Sequence, residues 1–159
     1  MMNLFRMRNN SKNAGFTLIE LLVVVGILAF LVAIIFVALD PITRFADARN
    51  SRRRIDVNSL LTAVHEYIVD NGGALPPGVS TSQQQLGTCS SGGNNPCTGA
   101  STTCLDLSSV LAKYLKSVPT DPSAGTAAQT KYSIVINTYN AVTIRACAAE
   151  NGQVIEASR

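Results

Sequence analysis

Glu20 stands at the head of a long apolar run. Residues 21–39 read LLVVVGILAFLVAIIFVAL, with no charged or strongly polar side chain among them. An ionisable group inside a segment suited to lipid costs about 2.5–3.5 kcal/mol on insertion scales, so it needs a partner or a place near the interface. The plain account is an acid that snorkels to the membrane surface. The sharper one is an acid set to meet a complementary positive charge. Gly15-Phe16-Thr17-Leu18-Ile19 lead into Glu20, and residues 1–15 hold Arg6, Arg8 and Lys12 but no acid.

Other residue types capable of chemistry are few. The four cysteines, Cys89, Cys97, Cys104 and Cys147, all lie downstream of the apolar run. An even number there predicts two disulfides formed in an oxidising compartment. Three connectivities exist; Cys89–Cys97 with Cys104–Cys147 is favoured, because its second bond ties a loop to the C-terminal sheet. No C-x-x-C pair occurs, so the spacing argues against zinc, and no metal or cofactor is expected. Arg49, Arg52, Arg53 and Arg54, with Arg44 nearby, form a basic cluster. Such a cluster suits anionic lipid or nucleic acid. The preferred reading is a solvated helix face paired with Asp47, Asp56 or acids of neighbouring copies. His65, the single histidine, is expected to be a partly exposed helix residue. Asp106 and Asp121 are expected in turn and capping roles, and Tyr132 and Tyr139 in the sheet and a loop. No phosphate-binding Gly-Lys loop, H-E-x-x-H or G-x-S-x-G occurs, which is consistent with a non-enzymatic chain.

The elements that position these residues follow from composition and period. The chain has 159 residues, 47% hydrophobic and only 14% charged, which suits one small domain plus a greasier segment. Residues 21–39 exceed the roughly 18 apolar residues needed to span a bilayer and are too long for the apolar core of a cleaved secretory signal. Asp40-Pro41 predicts a kink or local melting. Over residues 42–70, Val57, Leu60, Leu61, Val64, Tyr67 and Ile68 recur at helical spacing on one face, and Asp70-Asn71-Gly72-Gly73 is a helix stop. A helix over 17–70 would run about 80 Å, longer than a small domain covers. Residues 74–104 read as a Ser-, Gly- and Asn-rich loop pinned by cysteines, and 105–116 as a short helix with Leu107, Val110, Leu111, Tyr114 and Leu115 inward. Pro119-Thr120-Asp121-Pro122 is a turn, and strands are expected near 132–137, 141–148 and 153–157. Asn151-Gly152 is a hairpin signal. The expected fold class is α+β: a long N-terminal helix, transmembrane then amphipathic, packed on a three-stranded antiparallel sheet. The domain plan is a leader (1–15), an apolar helix (16–40), its amphipathic continuation (41–70) and a small head (71–159).

Basic leader, then Gly15-Phe16-Thr17-Leu18-Ile19-Glu20, then an apolar helix: this pattern resembles the prepilin signal of type IV pilins and type II secretion pseudopilins. The match is close over residues 1–40 and looser over 44–76 and the segment LKSVPTDP. The resemblance implies cleavage after Gly15 by prepilin peptidase, N-methylation of Phe16, and an assembly role for Glu20. It also implies a single-pass precursor in the cytoplasmic membrane, with leader inside and head outside, that passes into an extracellular filament. Its partners would be further copies of itself, the peptidase, an assembly platform with minor pilins, and the bilayer before assembly. Removing the leader's three basic residues from thirteen leaves ten against ten acids. A neutral product gives no global reason to expect nucleic-acid binding. Two alternatives stand beside the pilus subunit: a pseudopilin of a secretion system, and a membrane-tethered binding module or enzyme that never polymerises.

Overall fold

The computed structural model describes residues 15–159, and the chain divides into two compact units, Met1–Pro41 and Ile42–Arg159. The basic side chains of the leader, Arg6, Arg8 and Lys12, lie outside the described residues.

In the first unit, helix α1 spans Leu18–Leu39 and buries none of its 22 residues. It is about 33 Å long at the α-helical rise, enough to cross a hydrocarbon core of roughly 30 Å. Its C-cap, Asp40, is left-handed (φ 39°, ψ 71°), which ends the ladder at the expected Asp40-Pro41 break. Pro41 then opens helix α2, Pro41–Asp70. Proline is tolerated at a first helical position, where its missing N–H would have had no partner.

In the second unit, α2 lays Val57, Leu60, Leu61, Ala63 and Val64 into the core, the stripe its period predicts. It ends as expected. Gly72 and Gly73 take positive φ, and the Gly73 N–H bonds back to the Ile68 carbonyl at 2.8 Å, satisfying a carbonyl that the last turn leaves open.

The sheet has four strands rather than three, all antiparallel in the order β1-β2-β3-β4: Gln84–Gln85, Tyr132–Ile136, Val142–Ala146 and Ile155–Ser158. Strand β1 is only two residues inside a polar loop, too short to show a period. β3 alternates as predicted, with Val142, Ile144 and Ala146 buried and Arg145 exposed. Asn151 and Gly152 both adopt left-handed angles, and the Gln153 N–H bonds to the Glu150 carbonyl, a type I′ geometry. The turn sits within a longer connection, because β3 and β4 pair only from Ala146 and Ile155 outward. Residues 105–116 are successive turns, not a helix. Only two i→i+4 bonds form there, Leu111 to Leu107 and Leu115 to Leu111. The inward set nevertheless holds: Leu107 and Leu111 join the core, with Val110, Tyr114 and Leu115 packed against it.

The disulfides differ from the favoured pairing. Cys89 bonds Cys104 and Cys97 bonds Cys147. Loop 87–104 folds back on itself, with Cys104 N–H on the Cys89 carbonyl (2.9 Å) and Gly93 N–H on the Thr102 carbonyl (2.7 Å). Cys89 and Cys104 thereby become cross-loop neighbours, and Cys97 at the tip reaches Cys147 just past β3. The loop is tied to the sheet, but by its tip rather than its base. Gly87 permits the close approach: at its φ of 141°, a Cβ would stand 2.2 Å from the Ala128 carbonyl oxygen.

The arginine cluster is the expected solvated face only in part: Arg52 and Arg54 are exposed and Arg52 pairs with Asp56, but Arg53 departs from it. Arg53 is fully buried. Its guanidinium grips Asp121 through Nε (2.6 Å) and Nη2 (3.0 Å), and Glu150 through Nη1 (2.6 Å). Arg49 clamps Glu150 from the other side, and Arg52 pairs with Asp56 at 3.0 Å. Asp56 in turn accepts from the buried Tyr132 hydroxyl, whose ionisation burial and that carboxylate push upward. Sequence shows the arginines but not their depth, because Asp121 and Glu150 lie 68 and 97 positions away. Asp121 keeps its expected turn role, accepting from Ser123 N–H.

The hydrogen bonds from Arg49 and Arg53 hold Glu150 down to about 2. Burial pushes Asp121 up, but Arg53 and Ser123 outweigh it and leave it lowered. Both acids therefore stabilise the fold fully above their ordinary values and lose that contribution as pH falls through the depressed ones. In detergent, Arg53→Ala is expected to cost about 3–5 kcal/mol by leaving Asp121 buried and without its counter-charge, and the half-exposed Arg49→Ala clearly less, because solvent screens its pair. Urea unfolding followed by circular dichroism measures both. The native protein should lose stability between pH 4.5 and about 2, a loss blunted in the Arg53 variant.

Candidate functional site

The start of α1 is built by two residues of the motif. Thr17 is the N-cap, with extended backbone (φ −80°, ψ 150°). Its Oγ1 accepts from the Glu20 N–H at 3.3 Å, while Glu20 Oε2 accepts from the Thr17 N–H at 2.9 Å and the Thr17 hydroxyl at 2.7 Å. This reciprocal arrangement is a capping box, and it satisfies orphan donors at the helix end. An acid in the first turn also faces the positive end of the helix dipole. Glu20 is thus held by its own chain, a local partner that reading it as an isolated charge in an apolar run did not reveal. The T-x-x-E spacing of Thr17 and Glu20 was the signal that could have found it.

Phe16 precedes the cap and is 85% exposed. Its ring, with Ile19, Val23 and Val24, borders a shallow apolar groove beside Glu20. Gly15 is exposed in irregular backbone, and among the described residues nothing beyond its chain neighbours lies within 4 Å of where a Cβ would stand. The structure therefore brings Phe16, Thr17 and Glu20 together and leaves the Gly15–Phe16 bond outside any helix.

The family model for the prokaryotic N-terminal methylation motif matches residues 10–36. The chain carries a prepilin-type signal. Among the described residues α1 is the one helix long and apolar enough to cross a membrane, and with it the signal fits a membrane-anchored, prepilin-like precursor. No curated protein and no solved structure matches the chain.

The remaining singled-out residues fall elsewhere. His65 is half-buried, and its Nε2 has no hydrogen-bond partner among the described residues. Asp106 accepts from the Ser108 N–H, the turn role expected of it. Tyr132 is in the core and Tyr139 is exposed on the β2–β3 turn.

The capping box predicts a measurable local effect. Thr17→Ala should weaken the first turn of α1 by about 0.5–2 kcal/mol. This would be read as faster amide exchange over residues 18–21 in micelles, with exchange in the head unchanged.

Proposed function

We propose that this chain is a structural subunit of a type IV pilus-like extracellular filament. Prepilin peptidase cuts it after Gly15, Phe16 is N-methylated, and the product assembles with its own copies through α1. The observation that carries this reading is the methylation motif fused to a helix none of whose side chains is buried. That helix requires lipid first and other apolar helices afterwards.

Cleavage at Gly15 would free a positively charged amine at Phe16, one turn from Glu20. In a stack of copies, the carboxylate of one can exchange its Thr17 donors for the amine of a neighbour. Apolar contacts between helices attract without setting register; a charge pair in low dielectric penalises every slipped arrangement. The head then faces the oxidising side of the membrane, where its two disulfides form. A pseudopilin of a secretion system would use the same signal and differ in filament length and location.

Mass spectrometry of the native N-terminus tests the processing step. A chain that begins at methylated Phe16 is the expected result; an intact Met1 rejects the proposal. For register, Glu20→Ala and Glu20→Gln should abolish or sharply reduce filaments visible by electron microscopy while leaving membrane insertion intact. Normal filament yield in both variants would remove Glu20 from the mechanism.

A further inference from the structure

The two disulfides of the head differ in what surrounds their sulfurs. Cys97 is buried at the tip of loop 87–104, and its partner Cys147 is half-buried just past β3. The fully buried Gln85 reaches the Cys97 side. Its Nε2 donates to the Gly93 carbonyl at 2.9 Å, the Asn95 carbonyl at 3.2 Å and Cys97 Sγ at 3.4 Å. Two hydrogens are thus shared among three acceptors, and an acceptor that gains charge takes the larger share. On the other sulfur, Cys147 Sγ lies 3.4 Å from Ser133 Oγ. A disulfide sulfur has no hydrogen to give, so the hydroxyl is the donor. Ser133 Oγ accepts from Gln83 Nε2 at 2.8 Å, which leaves its own hydrogen for the sulfur. Cys89 and Cys104 are both half-buried, and among the described residues no side-chain donor reaches either of their sulfurs.

The Cys97–Cys147 bond also has a charged approach. A pocket of about 30 Å³ opens beside it, lined by Gln83, Pro96, Thr98 and Arg145, with room for one small group. Arg145 is exposed on β3. Glu156 stands opposite it on β4, but Arg145 makes no ion pair among the described residues. A cation beside a sulfur favours the thiolate form of a thiol brought there. Exchange runs faster when the leaving thiolate is stabilised and the attacked sulfur is accessible. Both conditions select attack at Cys147 and departure of Cys97.

We infer that Cys97–Cys147 is a thiol-exchange site for a small anionic thiol, with Cys147 as the residue modified. The incoming thiolate attacks Cys147 Sγ and forms a new S–S bond there. The Cys97–Cys147 bond breaks, and its electron pair leaves on Cys97 Sγ against the Gln85 amide. One disulfide becomes a mixed disulfide and one thiolate replaces another, so no further oxidant or reductant is needed. The anionic group of the thiol pairs with Arg145. The loop keeps its base through this change. Cys89–Cys104 stays closed, and the main-chain bonds of Gly93 to Thr102, Ser101 to Gln83 and Leu105 to Gln85 remain. Only the tie from loop tip to sheet is lost. The exchange needs nothing but the head, so it is independent of the filament reading.

The test mixes the full-length protein in detergent, without denaturant, with glutathione at about pH 8, where a thiol is partly ionised. Samples are quenched at intervals with N-ethylmaleimide and mapped by mass spectrometry. The expected first product carries glutathione on Cys147 and maleimide on Cys97, with Cys89–Cys104 intact and the circular dichroism of the head unchanged. Arg145→Gln should slow that product by about two- to fivefold, the rate equivalent of one exposed charge pair. With neutral 2-mercaptoethanol, native protein and variant should react alike. Opening of Cys89–Cys104 first or at an equal rate overturns the site, as reaction through global unfolding would give. Glutathione on Cys97, or an Arg145→Gln rate equal to the native one, overturns it as well. The mapping on the native chain decides the choice of sulfur whether or not the variant folds.

Discussion

A helix of 22 residues that buries none of its own side chains sets the terms for this molecule. Apolar surface on that scale is not left in water. Its first turn must also present no unsatisfied polar group to lipid. The Thr17–Glu20 capping box meets part of that second demand by giving the carboxylate donors from its own chain, and the helix its missing acceptors. The same residue that would be costly as a lone charge is therefore a stabilising cap. It remains available to a stronger donor, since a hydroxyl and an amide are weaker partners for a carboxylate than an ammonium group.

The head solves a different problem. A small domain has limited core to spend on holding a long helix, and here the core is supplemented from two directions. The apolar stripe of α2 packs under the sheet. Along the same helix, Arg49, Arg52 and Arg53 reach acids supplied by residues 121 and 150 and by α2 itself. A fully buried guanidinium is costly unless every donor finds a partner. Arg53 does find them, in Asp121, Glu150, Asn50 and Ser123. The disulfides then tie down loop 87–104, which supplies no member of the main hydrophobic cluster.

Sequence alone determined the parts of this protein governed by local pattern. The prepilin-type signal, the membrane-length helix, the break at Asp40-Pro41, the amphipathic stripe from Val57 to Ile68, the glycine stop and the alternation of β3 all depend on neighbours within a turn or two. Period and turn chemistry report such features directly. Tertiary structure decided the rest. Which cysteines pair depends on how loop 87–104 folds back, and no spacing rule encodes that. Whether Arg53 is solvated or buried depends on acids that arrive from the far end of the chain. A two-residue edge strand exists only because β2 offers it a ladder. In each case the controlling energy is a contact between residues distant in sequence, and a linear pattern holds no record of such contacts until the chain has folded.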